Sequence, residues 1–440
     1  MNRRLAALAI CLFSTTALAQ TPAPQGDAPT VPNIPDYSKL VEGKPIDSRQ
    51  NENVRDRPSF AEQTRAPYHK TAPYKTTEIT GSLHAPWALA FLPDGKFLVT
   101  ERLPGALRVI SPDGTMAPPV TGLETLTPEW PETGLFDLAL DPDFARNHQI
   151  FFTAFGFDHG MISGLLVVRA TFNEASNSIS DGKIIFRCHP ETPNDARSGV
   201  GTRSGGRIAI GKDGYLYITV GDRDTGSSFP WRVAQTLDTD LGKIIRITKD
   251  GMPAPDNPFA NRRDGALPEI WAIGQRSQEG LAFDASGQLW EVEHGPRGGD
   301  ELNLIKKRAN YGWPIISHGV DYPGPPIGDA SVSKPGMEEP IYYWAPSTAP
   351  SGLAWYDANL FPEWKGSMLV GMLRGDSLER LKIVDDKVVN EEPLLTEVHM
   401  RIRDVRVGPD GAVYVLTDGG LSSITDNTQA NSKLLKLTPQ

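Results

Sequence analysis

Residues 205–222 read GGRIAIGKDGYLYITVGD. Ile208, Ile210, Tyr215, Tyr217 and Thr219 alternate around the turn Gly211-Lys212-Asp213-Gly214, which predicts two antiparallel strands closed by a tight connection. The same grammar returns five more times. It is read in PWALAFLPDGKFLVTER from Pro86, GLFDLALDPDFARNHQIFFTAF from Gly134, EGLAFDASGQLWEVEHG from Glu279, SGLAWYDANLFPEWKGSMLVGML from Ser351 and IRDVRVGPDGAVYVLTD from Ile402. The units start roughly 50 to 75 residues apart, so insertions of different length hang from a common hairpin. A few short strands cannot bury both faces alone and must stack on their neighbours. Radial stacking of six such units gives an all-β, six-bladed β-propeller. The competing reading, a β-sandwich with similar hairpins, needs six coincidences. In a propeller the loops of every blade converge on the axis, so functional residues are expected beside the strands and scattered along the chain.

The ends of the sequence read differently. MNRRLAALAICLFSTTALAQ carries Arg3 and Arg4, a short apolar run from Leu5 to Leu12, and Ala17-Leu18-Ala19 before Gln20. That is the layout of an export signal over residues 1–19, too short to span a bilayer, and it predicts a periplasmic or secreted protein with no transmembrane segment in the mature chain. Loss of the signal takes two arginines and moves the net charge from −10 to −12. An acidic chain without a basic run is a poor partner for nucleic acid. Of the two cysteines Cys11 leaves with the signal, and Cys188 alone cannot form an internal disulfide. Residues 20–75 are rich in Pro, Asp, Asn and Arg, which predicts a flexible or loosely docked extension ahead of a propeller over 76–440.

Arginines recur where blades begin: Arg207, Arg276, Arg374, Arg401 and Arg403. Converging guanidinium groups suit a small polycarboxylate; each one singly also suits a salt bridge between blades. Arg401 and Arg403 stand out, because alternation sends both side chains to one side of a strand and makes a doubly positive spot. The densest polar stretch is EVEHGPRGGDELNLI from Glu291. Its Gly295-Pro296 pair offers main-chain carbonyls near Asp300 and Glu301, hard oxygen donors suited to calcium, although a tight turn flanked by acids has the same composition. Clustered Cys and His of a zinc site are missing, as is a Gly-rich loop between strand and helix of the kind that binds NAD or ATP.

These pieces run in order from about residue 80 to the C-terminus, together with LDTDLGKIIRI, PDNPF, LPEIWAIGQRSQEGLAF, NYGWP and WAPSTAPSGLAW. In this the chain resembles the soluble aldose sugar dehydrogenases that use pyrroloquinoline quinone, the glucose/sorbosone dehydrogenase family. GPRGGDELNLI followed by NYGWP is the specific part of the likeness. The resemblance implies a small-molecule sugar substrate oxidised at its anomeric carbon, with the quinone and calcium (Ca2+) at the axis and an electron acceptor it does not specify. It implies that Gly295 and Pro296 hold the calcium through their carbonyls. Asp321 and Glu339 would serve a second, structural calcium. Arg401 and Arg403 match a cofactor-binding pair. Arg276 opens a motif at the cofactor, and Arg374 stands where the family has a lysine on the quinone.

Four departures fall at this implied site. The family's proton-accepting histidine, four residues before the arginine of Gly-Gly-Arg, is Arg203 here, while the aspartate that orients it is kept as Asp222. Ser277 replaces an asparagine, Glu279 a glutamine, and Glu132 a glutamine of the second blade. Arginine keeps its proton and cannot be the base. Three readings stay open. Arg203 pairs with Asp222 in a non-catalytic propeller that binds a carbohydrate or a protein. Alternatively Glu132, Asp222, His189 or His294 takes the proton. Or the insertion at 188–204 shifts the register and brings Asp195 in. A hydrolytic calcium propeller is a further alternative, and it requires side-chain carboxylate ligands.

Overall fold

Each of the six hairpins forms the inner pair of its own antiparallel sheet in the computed structural model. The structure describes residues 34–440 except 103–104, 127–133, 159–161, 191, 194–202, 224–231, 323, 325, 329 and 420–430. Ile208 faces Ile218, Ala209 faces Tyr217 and Ile210 faces Leu216 across the Gly205–Ile210 and Leu216–Val220 strands. The Gly211 amide donates to the Tyr215 carbonyl at 3.0 Å. Gly214, at φ +82°, takes the left-handed position that a side chain would resist. The same closure joins Leu92 to Lys96 and Gly408 to Ala412, each at 2.8 Å.

The innermost strands are Pro86–Phe91, Gly134–Leu140, Gly205–Ile210, Gln278–Phe283, Pro350–Tyr356 and Arg401–Val407. Each packs on the next, and the last packs on the first, so the six sheets close a ring. The fold is a six-bladed β-propeller. The ring is locked by Tyr74–Leu83, which pairs with Ser432–Pro439 and adds an N-terminal strand to the sheet of the C-terminal strands. That strand starts two residues ahead of the boundary read from the sequence. Alternating apolar residues fill the spaces between blades, as with Trp87 edge-on to Phe136 at 5.3 Å.

The inner strands also carry charges into the hub. Arg207 and Arg406 interleave with Asp137 and Asp404: Arg207 Nη1 lies 2.9 Å from Asp404 and 3.6 Å from Asp137, and Arg406 bonds the same two carboxylates at 2.9 and 2.6 Å. Arg207 lies 3.9 Å over the Trp87 ring. This is the structural, blade-joining role for Arg207.

Where it is described, the extension is hydrogen-bonded to the blades. Thr64 Oγ1 donates to the Tyr343 carbonyl (2.9 Å), Arg65 Nη2 to that of Ala345 (3.0 Å), and Tyr37 Oη to that of Gly375 (2.9 Å). Its composition looks disordered because it is held by hydrogen bonds and single aromatic contacts instead of an apolar periodic face. Residues 1–33, which include the stretch expected to be an export signal, lie outside the described residues, and among those described no helix is long and apolar enough to cross a membrane.

Candidate functional site

Loops that follow the second strand of a sheet, and segments that enter an inner strand, meet at one end of the axis. Arg276 precedes the Gln278–Phe283 strand and is buried. Its Nη1 donates to the carbonyls of His294 (2.7 Å) and Gly295 (2.8 Å). Burial, and then the positive charge of Arg203, push its pKa below the usual arginine range. The expected neighbours Arg276 and Gly295 are thus in direct contact.

The amides of Arg276 and its chain neighbour Ser277 both donate to Glu293 Oε2, and polar contacts continue from Ser277. Ser277 Oγ meets Glu279 Oε1 at 3.3 Å, and Glu279 Oε2 lies 3.7 Å from Arg403 Nη1. Arg403 Nη2 bonds Asp418 at 3.0 Å, and Arg401 Nε lies 3.8 Å from the same carboxylate. Burial works to raise the Asp418 pKa, but Arg403 and Arg401 hold it below the ordinary value. Burial and Arg403 lower that of Arg401. Arg102, not singled out in the sequence, belongs here too: burial and the field of Arg403 bring its pKa down to about 10. It follows the Phe97–Glu101 strand as Asp222, His294 and Asp418 follow or end theirs, and that shared register was the readable signal.

On the other side of Arg276, Asp222 accepts from Trp313 Nε1 at 2.7 Å and lies 3.4 Å from Arg203 Nη1. Arg203, at φ +45°, is pressed against the strand end; a Cβ on Gly221 would sit 1.9 Å from its carbonyl oxygen. The contact that the non-catalytic reading required is therefore present. Of the other candidate bases, His294 lies at the site, its Nε2 bonded to the Pro350 carbonyl at 2.8 Å. His189 is exposed and its main chain is tied to Asp240, away from these groups. Glu132 and Asp195 lie outside the described residues.

The Gly295 loop is held from below. Asp300 accepts from the Gly295 amide (2.8 Å) with one oxygen, and from Ser347 Oγ (2.6 Å) and the amides of Thr348 (2.8 Å) and Ala349 (2.7 Å) with the other. The Thr348 carbonyl in turn accepts from the amide of Arg374, so one carboxylate ties the loops of Gly295 and Arg374 together. Beneath lie Glu291, Glu293 and Glu301 around Asn303, whose Nδ2 reaches all three at 3.2 to 3.4 Å. Burial raises all three carboxyl groups, Glu293 to about 7. Asp321 and Glu339 have separate partners: Asp321 accepts from the Tyr322 amide (2.8 Å), and Glu339 from Ser59 Oγ (2.7 Å) and Gln63 (3.2 Å). Among the described residues no three His, Cys, Asp or Glu side chains are grouped to hold a metal.

The site nonetheless suits a calcium-bound polyanion. A Cβ on Gly295 would come 2.3 Å from the Gly299 oxygen and 2.4 Å from the Gly298 oxygen, so only glycine fits there and its carbonyl, a hard donor with a second lone pair, borders the site. Two buried donors, Arg276 Nε and Arg401 Nε, have no acceptor within hydrogen-bond reach. Buried N–H groups without acceptors are costly unless a ligand completes them.

Comparison with known proteins agrees with this geometry. Residues 83–425 match the family model "Glucose / Sorbosone dehydrogenase". The aldose sugar dehydrogenase YliI of Escherichia coli is 35% identical over 360 residues, which are 81% of this chain and 91% of the relative. The crystal structure of the soluble aldose sugar dehydrogenase of Escherichia coli in its apo-form superposes with a TM-score of 0.73 at 34% identity, covering 84% of this chain and 100% of that one. The PQQ-bound aldose sugar dehydrogenase of Streptomyces coelicolor superposes with a TM-score of 0.62 at 26% identity, covering 84% and 100%. With its six blades and its arginine-lined axial end, the chain belongs to the glucose/sorbosone dehydrogenase family.

Proposed function

We propose that this protein is an exported quinoprotein that oxidises aldose-type sugars at the anomeric carbon with pyrroloquinoline quinone and calcium. The observation that carries the reading is the gathering of Gly295 on Arg276 and, from its chain neighbour Ser277, the contacts through Glu279 and Arg403 to Asp418 and Arg401. The leader-like first 19 residues support export. Gly295 and Pro296 would hold the calcium through their carbonyls. Arg276, Arg401 and Arg403, with Arg102 beside them, would neutralise the quinone's carboxylates, and Arg374 would approach from the next loop. The bound quinone supplies a hydride acceptor, made more electrophilic by calcium.

The chain must take the sugar hydroxyl proton. The Pro350 carbonyl only accepts, so His294 Nε2 carries the ring hydrogen and, in the neutral ring, Nδ1 keeps its lone pair. Asp222 is already engaged by Trp313 N–H and faced by Arg203, which makes it the poorer proton acceptor. We therefore assign His294 as general base. Positioned bases contribute about 10²- to 10⁴-fold, so His294→Gln should cost that factor in turnover with quinone affinity nearly kept.

The test is reconstitution of the purified full chain with pyrroloquinoline quinone and calcium, followed by aldoses and a dye acceptor. Sugar-dependent dye reduction is expected; no bound-quinone spectrum and no reduction would overturn the reading. The Arg203–Asp222 contact favours a second reading, a propeller that binds without turnover, and quinone binding without dye reduction would select it. Hydrolysis by carboxylate-held calcium lacks its ligand group among the described residues.

A further inference from the structure

The segment ahead of the propeller reaches the Gly295 loop through a second layer of backbone. Asp56 is buried; one carboxylate oxygen accepts from His318 Nδ1 at 2.7 Å, the other from Tyr343 Oη and Asn51 Nδ2, both at 2.6 Å. The His318 ring stacks on Tyr343 with centroids 3.8 Å apart, and Asn53 Nδ2 donates to the His318 carbonyl at 3.1 Å. His318 is therefore fixed in both ring and main chain by residues 51–56.

Gly319 and Val320 lie flush against the loop assigned to calcium. A Cβ on Gly319 would meet the Gly298 oxygen at 2.1 Å, and one on Gly299 would meet the Gly319 nitrogen at 2.4 Å. Arg297 and Val320 exchange both main-chain hydrogen bonds, at 3.0 and 3.1 Å. Gly298 and Gly299 in turn press on Gly295. Backbones this close leave no slack, so a shift of His318 is passed on to Gly295. Glu52 adds an outer hold, 2.9 Å from Arg297 Nε, and Tyr37 bonds the Gly375 carbonyl just after Arg374. The family model begins at residue 83, so these supports lie outside the matched body.

We infer that Asp56, through His318 and the Gly319–Gly298 contact, is a positioning residue for the Gly295-Pro296 loop, and that residues 34–73 tune its affinity for calcium and the quinone. The inference rests on the reading that this loop carries the calcium. Asp56 would touch neither the metal nor the sugar. Outer partners that orient metal ligands typically change metal affinity by about 10- to 100-fold when removed.

The test compares the full chain with Asp56→Ala and the milder Asp56→Asn, which keeps an acceptor for His318. Amide hydrogen exchange of residues 294–299 is followed without cofactor, with 97–101 as a remote reference. The calcium concentration for half-maximal quinone binding is read by fluorescence quenching. Asp56→Ala should speed exchange at 294–299 about tenfold or more, leave 97–101 unchanged and raise the calcium requirement about 10- to 100-fold. Asp56→Asn should fall between, and it carries the comparison if the alanine variant does not fold. Faster exchange confined to 51–65 and 316–320, with unchanged calcium requirement, would overturn the inference. Failure of the wild-type protein to bind calcium and quinone would refute the functional reading instead, while the exchange comparison would still decide whether Asp56 orders the loop.

Discussion

Replacing Arg203 by histidine should raise sugar oxidation. Arg203 Nη1 stands 3.4 Å from Asp222, longer than the roughly 2.7–2.9 Å of a strong charge-assisted bond, so that contact should contribute only about 1 kcal/mol. The backbone at 203 sits at φ +45°, a left-handed conformation in which histidine is over-represented among non-glycine residues. Asp222 stays anchored by Trp313 at 2.7 Å and can orient the new imidazole. The substitution removes a fixed positive charge from beside Arg276 and adds a second proton acceptor. A base contributing about 10²-fold corresponds to about 2.7 kcal/mol off the barrier. The assay is steady-state dye reduction by the quinone- and calcium-loaded enzyme, with the unfolding midpoint in urea measured alongside. We expect turnover to rise at least tenfold with the midpoint nearly unchanged. The gain should survive in Arg203→His/His294→Gln, whereas His294→Gln alone loses activity. A fall in turnover on Arg203→His would refute the reasoning, because Arg203 would then be contributing to the chemistry itself.

Asp404→Ala should destabilise the propeller by about 3–5 kcal/mol, since it strands the buried Arg207 with Asp137 at 3.6 Å as its remaining carboxylate partner; urea unfolding within 1 kcal/mol of wild type would contradict this. Gly295→Ala should abolish quinone binding while leaving strand content intact by circular dichroism, because its Cβ collides with the Gly298 and Gly299 oxygens; wild-type affinity would show the loop to be slack. Burial raises Glu293 from 4.5 to about 7, so the native state holds a proton that the unfolded chain has released. Its contribution to stability is therefore fully present below about pH 4.5 and is lost as pH rises through about 7. Thermal midpoints from pH 5 to pH 8 should fall, and less so in Glu291→Gln; a rising profile would contradict the buried-carboxyl account.

The blades were legible because each hairpin carries its own instruction: a period of two, as in Ile208 and Ile210, and a turn glycine at positive φ such as Gly214. The closing strand Tyr74–Leu83 was less so, since its partner Ser432–Pro439 lies at the far end of the chain and its own pattern is half exposed. At the site, the likeness of GPRGGDELNLI and RIRDV to the family pointed to Gly295, Arg401 and Arg403. Arg102 was missed because its one signal is a register shared with the strand ends of other blades, and its meaning comes from their charges. The hub of Asp137, Arg207, Asp404 and Arg406 is likewise a product of ring closure, not of spacing. Residues 34–73 carry no apolar period that would show where they dock, because Asp56, Gln63 and Tyr37 make their contacts through polar groups.

The most direct measurement is a crystal structure of the protein with pyrroloquinoline quinone and calcium. The account predicts density for both at the axial end, with calcium on the Gly295 carbonyl and the quinone's carboxylates on Arg401, Arg403 and Arg276. A quinone bound elsewhere, or calcium that avoids Gly295 while the axial arginines stay bare, would contradict it.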